Sequence, residues 1–294
     1  MEEEIGNLIG KGFGIWRSNL NLGIPFLLSI IFSALALIPL IVVAISVLGP
    51  TNIESLPSEQ LLSMIMGSLT SLIAAFLLSI LLVLLVGAFF DAGAIGMAKQ
   101  ALGTGKTKTD VMWSSGRKYF LRMFGMSVLI DLITIAGMVL LLPGILLLPQ
   151  PLTLQNISPD SQAVGLLIAG LILLVVYAIA ISIILSIAPY ALVIDNLGPV
   201  NAIKTSIKFF SYNKFDVFII WIVVIAISIG LQTIGSSVSV GTSTAAQPLS
   251  LITELVNLLV LSPLSAVWWA RLYMDRTGKV LFREDLIGGI HESQ

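Results

Sequence analysis

This chain of 294 residues contains no cysteine, a single histidine, and only 11% charged residues. The missing cysteines exclude disulfides, thiol nucleophiles and thiolate metal sites together. His291, the sole histidine, is fourth from the end of the sequence, where neither a metal ligand nor a Ser-His pair is expected. HExxH and nucleophile-elbow motifs are absent as well. The elements Thr104-Gly105-Lys106 and Thr277-Gly278-Lys279 lack the glycine-rich loop that would precede a phosphate-cradling lysine. These absences predict a non-enzymatic protein with no cofactor and no metal. Glu2, Glu3 and Glu4 stand where a signal peptide would be basic, and the first apolar run is long for its h-region, so cleavage is not expected.

Hydrophobic residues make up 57% of the chain, and mean hydropathy is +1.03. Soluble domains carry roughly 25% charged residues, so a water-soluble fold is excluded. Barrel-type alternation is missing, and runs of about 20 apolar residues must satisfy their backbones internally, as helices. The expected fold is all-α, with six membrane spans at about 23–49, 62–97, 123–149, 164–194, 217–234 and 250–270.

All 15 Lys and Arg residues lie outside these runs. They fall at Lys11 and Arg17, between Lys99 and Arg122, between Lys204 and Lys214, and from Arg271 to Arg283; none lies near 50–60, 150–163 or 235–249. Cytoplasmic loops retain positive charge, so this asymmetry predicts a multi-pass cell-membrane protein with both termini inside. A nucleic-acid partner is not indicated, because the basic residues belong to topology. The second outer loop carries a glycosylation sequon, Asn156-Ile157-Ser158, and Gly235 to Leu249 reads as the most flexible connection.

A weak threefold repeat divides the single membrane domain into units of about 1–103, 104–198 and 199–294. Asn7 to Asn19 aligns without gaps on Asn201 to Asn213, pairing Ile9 with Ile203, Trp16 with Phe210 and Asn19 with Asn213; Asp110 to Arg122 is a poorer third copy. Each reads as a short amphipathic interfacial helix followed by a hairpin of spans. The predicted apolar stripes are Ile5, Leu8, Ile9, Gly12 and Trp16 in the first and Val200, Ile203, Ile207 and Phe210 in the last. Gly103, Gly198 and Gly278 are the expected stops after the even-numbered spans. Lys11, Arg17, Arg117, Lys118, Lys204 and Lys208 are candidates for contact with anionic lipid headgroups.

The stretch Ser186 to Asn213, with Pro189-Tyr190 followed by Ala202 and Ser206, and the closing Tyr273-Met274-Asp275-Arg276 carry a family resemblance. The chain resembles prokaryotic six-span membrane proteins of unknown function, similar to the membrane domain fused to some bacterial glycerophosphodiester phosphodiesterases. That resemblance implies an architecture and no reaction.

Asp131 lies nine positions after Arg122, about 14 Å into the third span, with Ser127 and Thr134 on the same face. It reads either as a protonatable site in a cavity or as a hydrogen-bonded carboxyl joining helices. Glu254 and Asn257 read as interfacial, and Asp91 as lying at or just within the inner interface. Ala88, Ala92 and Gly96, like Ala178, Ser182 and Ser186, recur at four-residue spacing and predict close helix packing. Pro25, Pro39, Pro143, Pro189 and Pro263 read as kinks or caps. The function expected is a lipid-interacting scaffold or accessory subunit with a possible membrane protein partner; the alternative is a small transporter or lipid translocator using an intramembrane carboxylate.

Overall fold

The structure is a computed structural model, and it describes residues 3–49, 63–64, 66–148, 161–237 and 252–282. The sequon at Asn156, most of the 235–249 loop and His291 lie outside the described residues. Helices account for all the regular structure described, and six of them or their continuations are long and apolar enough to cross a membrane: Leu20–Val47, Leu69–Thr104, Thr109–Leu146, Gln162–Ile194, Lys214–Ile234 and Ile252–Arg276.

Four of the six spans are segmented, and proline marks each break. The first comprises α2 (Ile24–Ala36) and α3 (Ile38–Leu48), preceded by α1 (Ile5–Arg17). The second is the unbroken α4 (Leu69–Thr104). The third runs through α5 (Thr109–Ala136) into the short α6 (Leu142–Leu146), and the fourth through α7 (Gln162–Leu185) into α8 (Ala188–Ile194). After α9 (Pro199–Tyr212) come α10 (Lys214–Ser237) and then a π-helical turn, Asn257–Leu261, leading into α11 (Ser262–Arg276). Pro25, Pro39, Pro143, Pro189 and Pro263 all fall at the first or second position of a helical segment. There the missing N–H would have had no partner in any case, so proline restarts a helix at little cost.

The packed core lies at one end of the bundle and centres on the last span. In that span 56% of the most apolar window is buried, against 17% or less in the other five. Val267, Trp268, Trp269, Leu272 and Tyr273 are among its buried side chains, whereas Ile41, Ile45, Val175 and Val176 on other spans are exposed. Such apolar flanks are stable only against lipid. Small residues allow the close crossings. A Cβ on Gly96 would stand 2.1 Å from Ser115 Oγ, and one on Gly12 2.5 Å from the Trp268 ring. Of the small residues Ala88, Ala92 and Gly96 in α4, Gly96 meets α5 at Ser115, and the two alanines are buried.

All the basic stretches gather at that same end. Glu3 accepts two bonds from Arg271, at 2.8 and 3.1 Å, and pairs with Lys11 at 2.9 Å. Arg276 pairs with Asp216 at 2.7 Å and with Asp275; Lys279 meets Asp195 at 2.7 Å, and the Tyr273 hydroxyl donates to Asp195 at 2.7 Å. Asn19 donates to Gly105 O at 3.0 Å and accepts from Thr107 N at 2.9 Å, tying the start of the chain to the loop after α4. Tyr273, Asp275 and Arg276, the closing element singled out in the sequence, are thus the junction of the charged end.

The aligned segments Asn7 to Asn19 and Asn201 to Asn213 behave alike at their ends: Asn19 Nδ2 donates to Ile15 O at 2.9 Å, and Asn213 Nδ2 to Phe209 O at 3.0 Å. Each amide bonds the carbonyl one turn back where its helix stops. The third segment differs. Residues 110–122 form no separate helix, because α5 runs through Arg122 into the span without a proline or a positive-φ residue to break it. The apolar face of α9 is also turned by about one residue from expectation: Ala202, Ile203, Ser206 and Phe209 are buried while Val200 and Ile207 are exposed. Alanine and serine let the helix approach α7, where Ser206 Oγ donates to Ile184 O at 2.7 Å. Of the expected stops only Gly278 (φ +67°) serves; Gly105 (φ +77°) ends α4, and Asn196 (φ +56°) follows α8.

Candidate functional site

Asp91 stands in α4 between Phe90 and Ala92, both buried, yet its own side chain is open. It opens into a cavity of about 520 Å³ inside the bundle. Eight residues separate it from Lys99, so it lies about 12 Å deeper than that lysine. Five spans build the wall: Phe26 comes from the first, Ala94 and Ile95 beside Asp91 from the second, Ser182, Ser186 and Tyr190 from the fourth, Trp221 and Ser228 from the fifth, and Asn257, Ser262, Ser265 and Trp269 from the sixth.

Helix breaks shape this cavity. The fourth span interrupts at Ser186 and Ile187, between α7 and α8, and Ser186 and Pro189 both reach the wall. In the sixth span the π-helical turn widens the helix just before Pro263, and Ser262 Oγ donates to Asn257 O at 3.1 Å across it. Such turns are rare and frequent at functional sites. In α10 the buried residues Val217 and Ile220 both lie near its charged end. Beyond them Trp221 bridges to the fourth span, with Nε1 3.4 Å from Ser182 Oγ.

The electrostatics are one-sided. Among the described residues no Lys, Arg or His lines the cavity, and Asp91 makes no hydrogen bond or ion pair with another of them. An intramembrane carboxylate is costly to keep ionised, by about 3 kcal/mol, unless a counter-charge meets it. Among the described residues no group of three His, Asp or Glu could hold a metal ion.

Asp131 is exposed on α5 and does not line this cavity; Ser127 and Thr134 beside it are half-buried. Thr134 Oγ1 is bonded within its own helix, to Ile130 O at 2.9 Å. Glu254 is exposed, and Asn257 reaches the cavity wall instead of an interface. Ser182 and Ser186 also line the cavity, so their four-residue spacing marks a polar wall, where close packing is expected from sequence. Of the headgroup candidates, Lys11 is paired with Glu3; Arg17, Arg117, Lys118, Lys204 and Lys208 are exposed. The helical spacings Ser182–Ser186–Tyr190 and Trp221–Ser228 are the signal from which this site could have been read.

Over 290 residues the chain is 23% identical to an uncharacterized protein of Archaeoglobus fulgidus, an alignment covering 94% of this chain and 97% of that one. No solved structure matches it. A family model described as a domain of unknown function, DUF7847, matches residues 25–270, from within the first span to within the sixth, and the chain belongs to that family.

Proposed function

We propose that this membrane protein is a small non-enzymatic transporter or translocator for an organic ammonium group, free or carried on a lipid headgroup, with Asp91 as its counter-charge. The observation that carries the reading is an intramembrane carboxylate, without a basic partner, opening into a cavity. A cation entering there would meet opposite charge from Asp91, aromatic rings from Phe26, Tyr190, Trp221 and Trp269, and hydroxyl oxygens from the serines. At an effective dielectric of about 20, a cation about 5 Å from the carboxylate gains on the order of 3 kcal/mol. Broken spans beside the site add support, because transporters commonly frame a mid-membrane site with interrupted helices.

Two assays test the reading. In cysteine-free protein, Ser228→Cys places one thiol in the cavity wall; a positively charged methanethiosulfonate should label it faster than a negatively charged one, and Asp91→Asn should erase that preference. In proteoliposomes, Asp91→Asn should cut uptake of tetramethylammonium, or transbilayer exchange of a phosphatidylcholine probe, by about tenfold or more, the equivalent of about 1.4 kcal/mol. Which of the two probes responds identifies the carrier of the ammonium. The reading is lost if folded Asp91→Asn behaves as wild type in both, or if Asp131→Asn abolishes flux in its place.

A second reading, the lipid-interacting scaffold or accessory subunit, draws on the charged end, where Arg17, Arg117, Lys204 and Lys208 are exposed beside Phe13 and Trp113. With positive charge retained inside, that end faces the cytoplasm and its anionic leaflet. Co-purification of a membrane protein partner, lost on replacing these residues, is its test.

A further inference from the structure

We infer that the notch between the charged ends of α4 and α5 is a binding site for a phosphate group. It is separate from the Asp91 cavity and rests on different residues. Its volume is about 490 Å³, and Lys99, Lys118, Gln100, Ser114, Ser115 and Tyr119 contribute to its wall. Among the described residues no Asp or Glu lines it.

The donor chemistry suits an oxyanion. Lys99 Nζ gives one hydrogen bond to Ile194 O at 2.8 Å, which aims the ammonium and leaves two N–H groups to give. Lys118 is exposed and lies over the Tyr119 ring, 4.9 Å from its centre. Neither lysine forms an ion pair with a described carboxylate, whereas Lys11, Arg271, Arg276 and Lys279 all do. Gln100 Oε1 is occupied by Thr107 Oγ1 at 2.9 Å and Lys108 N at 3.2 Å, so the donor half of its amide remains for a ligand. The Ser115 hydroxyl forms no hydrogen bond with a described residue.

Two cations and several neutral donors around one notch, with no acid among the described residues, favour a group bearing negative charge on several oxygens. The notch also has a depth. Lys99 is five residues from the end of α4 and Lys118 is nine into α5, so both ammonium groups stand at the margin of the apolar spans. Basic pockets between spans at that level hold lipid phosphates. The same donors would accept a water-soluble phosphate, and Gly96, also in the notch wall, lets Ser115 come close to α4 by carrying no side chain.

The experiment uses the full chain in neutral detergent micelles, with native mass spectrometry to count phosphatidylglycerol adducts and a thermal shift to detect inorganic phosphate. Wild type should retain the lipid, gain melting temperature with phosphate, or both; lipid alone assigns a headgroup site, and inorganic phosphate alone a soluble ligand. Lys118→Gln and Ser114→Glu alter exposed positions and leave the core intact; each should weaken whichever ligand binds by about tenfold, which is about 1.4 kcal/mol. Lys204→Gln, outside the notch, should leave it unchanged. The proposal is overturned if neither ligand binds, or if Lys204→Gln weakens binding as much as Lys118→Gln does. That last result would mean diffuse attraction to a basic surface, and would leave the scaffold reading standing.

Discussion

Replacing Glu3 with alanine should loosen α1 from the bundle by stranding a buried guanidinium. Glu3 meets Arg271 through two bonds, at 2.8 and 3.1 Å, and the Arg271 side chain is only 5% exposed. Lys11 also reaches Glu3, at 2.9 Å, but is 55% exposed. Exposed pairs contribute about 0.2–1 kcal/mol, whereas removing one member of a buried pair costs about 3–5 kcal/mol because the other charge stays behind. Glu3→Ala should therefore cost about 3 kcal/mol, the low end of that range, since the carboxylate retains some exposure. Lys11→Ala should cost under about 1 kcal/mol. Burial pushes the Glu3 carboxyl up, but the hydrogen bonds and charges of Arg271 and Lys11 outweigh it and hold the group below its ordinary value of 4.5. A depressed carboxylate stabilises fully above its unfolded value and progressively less as pH falls through the folded one. The gap between wild type and Glu3→Ala should thus be constant near neutrality and close below about pH 4. Thermal unfolding in detergent measures it. Adding Leu8→Cys to the cysteine-free chain reports detachment, because Leu8 is fully buried under α1. Unchanged stability with Leu8→Cys still protected from labelling would refute the argument, as would a gap that widened in acid.

Two further substitutions test the packing. Gly12→Ala would place a methyl 2.5 Å from Trp268, a ring that is 3% exposed and tethered by its own bond to Ile9 O at 3.0 Å, so an overpacking cost of about 1–3 kcal/mol is expected in a melting experiment. Ser206→Ala should lose about 1 kcal/mol with the bond to Ile184 O, while Ile207→Ala, on the exposed flank of α9, should change stability by less; the reverse order would contradict the observed face of that helix.

The sequence reveals depth in the membrane more readily than it reveals direction around a helix. Six spans are legible because about 20 consecutive apolar residues admit one solution in lipid, and the basic stretches are legible as one group because they cannot enter it. Asp131 draws attention by the same measure, nine residues beyond Arg122. Depth leaves open which neighbour a side chain faces. That is settled by crossings such as Gly96 on Ser115 and by the π-helical turn before Pro263, both products of pairwise packing between distant segments. Asp91, eight residues before Lys99, stands at nearly the same depth but within a run of small residues, so in one dimension it resembles a packing position; in three, the breaks of the fourth and sixth spans open a cavity at its side. The turned face of α9 has a similar cause. Hydrophobicity selects Ile207 and Phe210 for burial, but a helix pressed against α7 selects Ala202 and Ser206, because closeness favours small side chains and a hydroxyl can bond the carbonyl it meets. In a lipid-soluble bundle apolar side chains are at ease on either side. Size and hydrogen bonding therefore decide which face turns inward, and polar residues at helical spacing are the better guide to where the inside is.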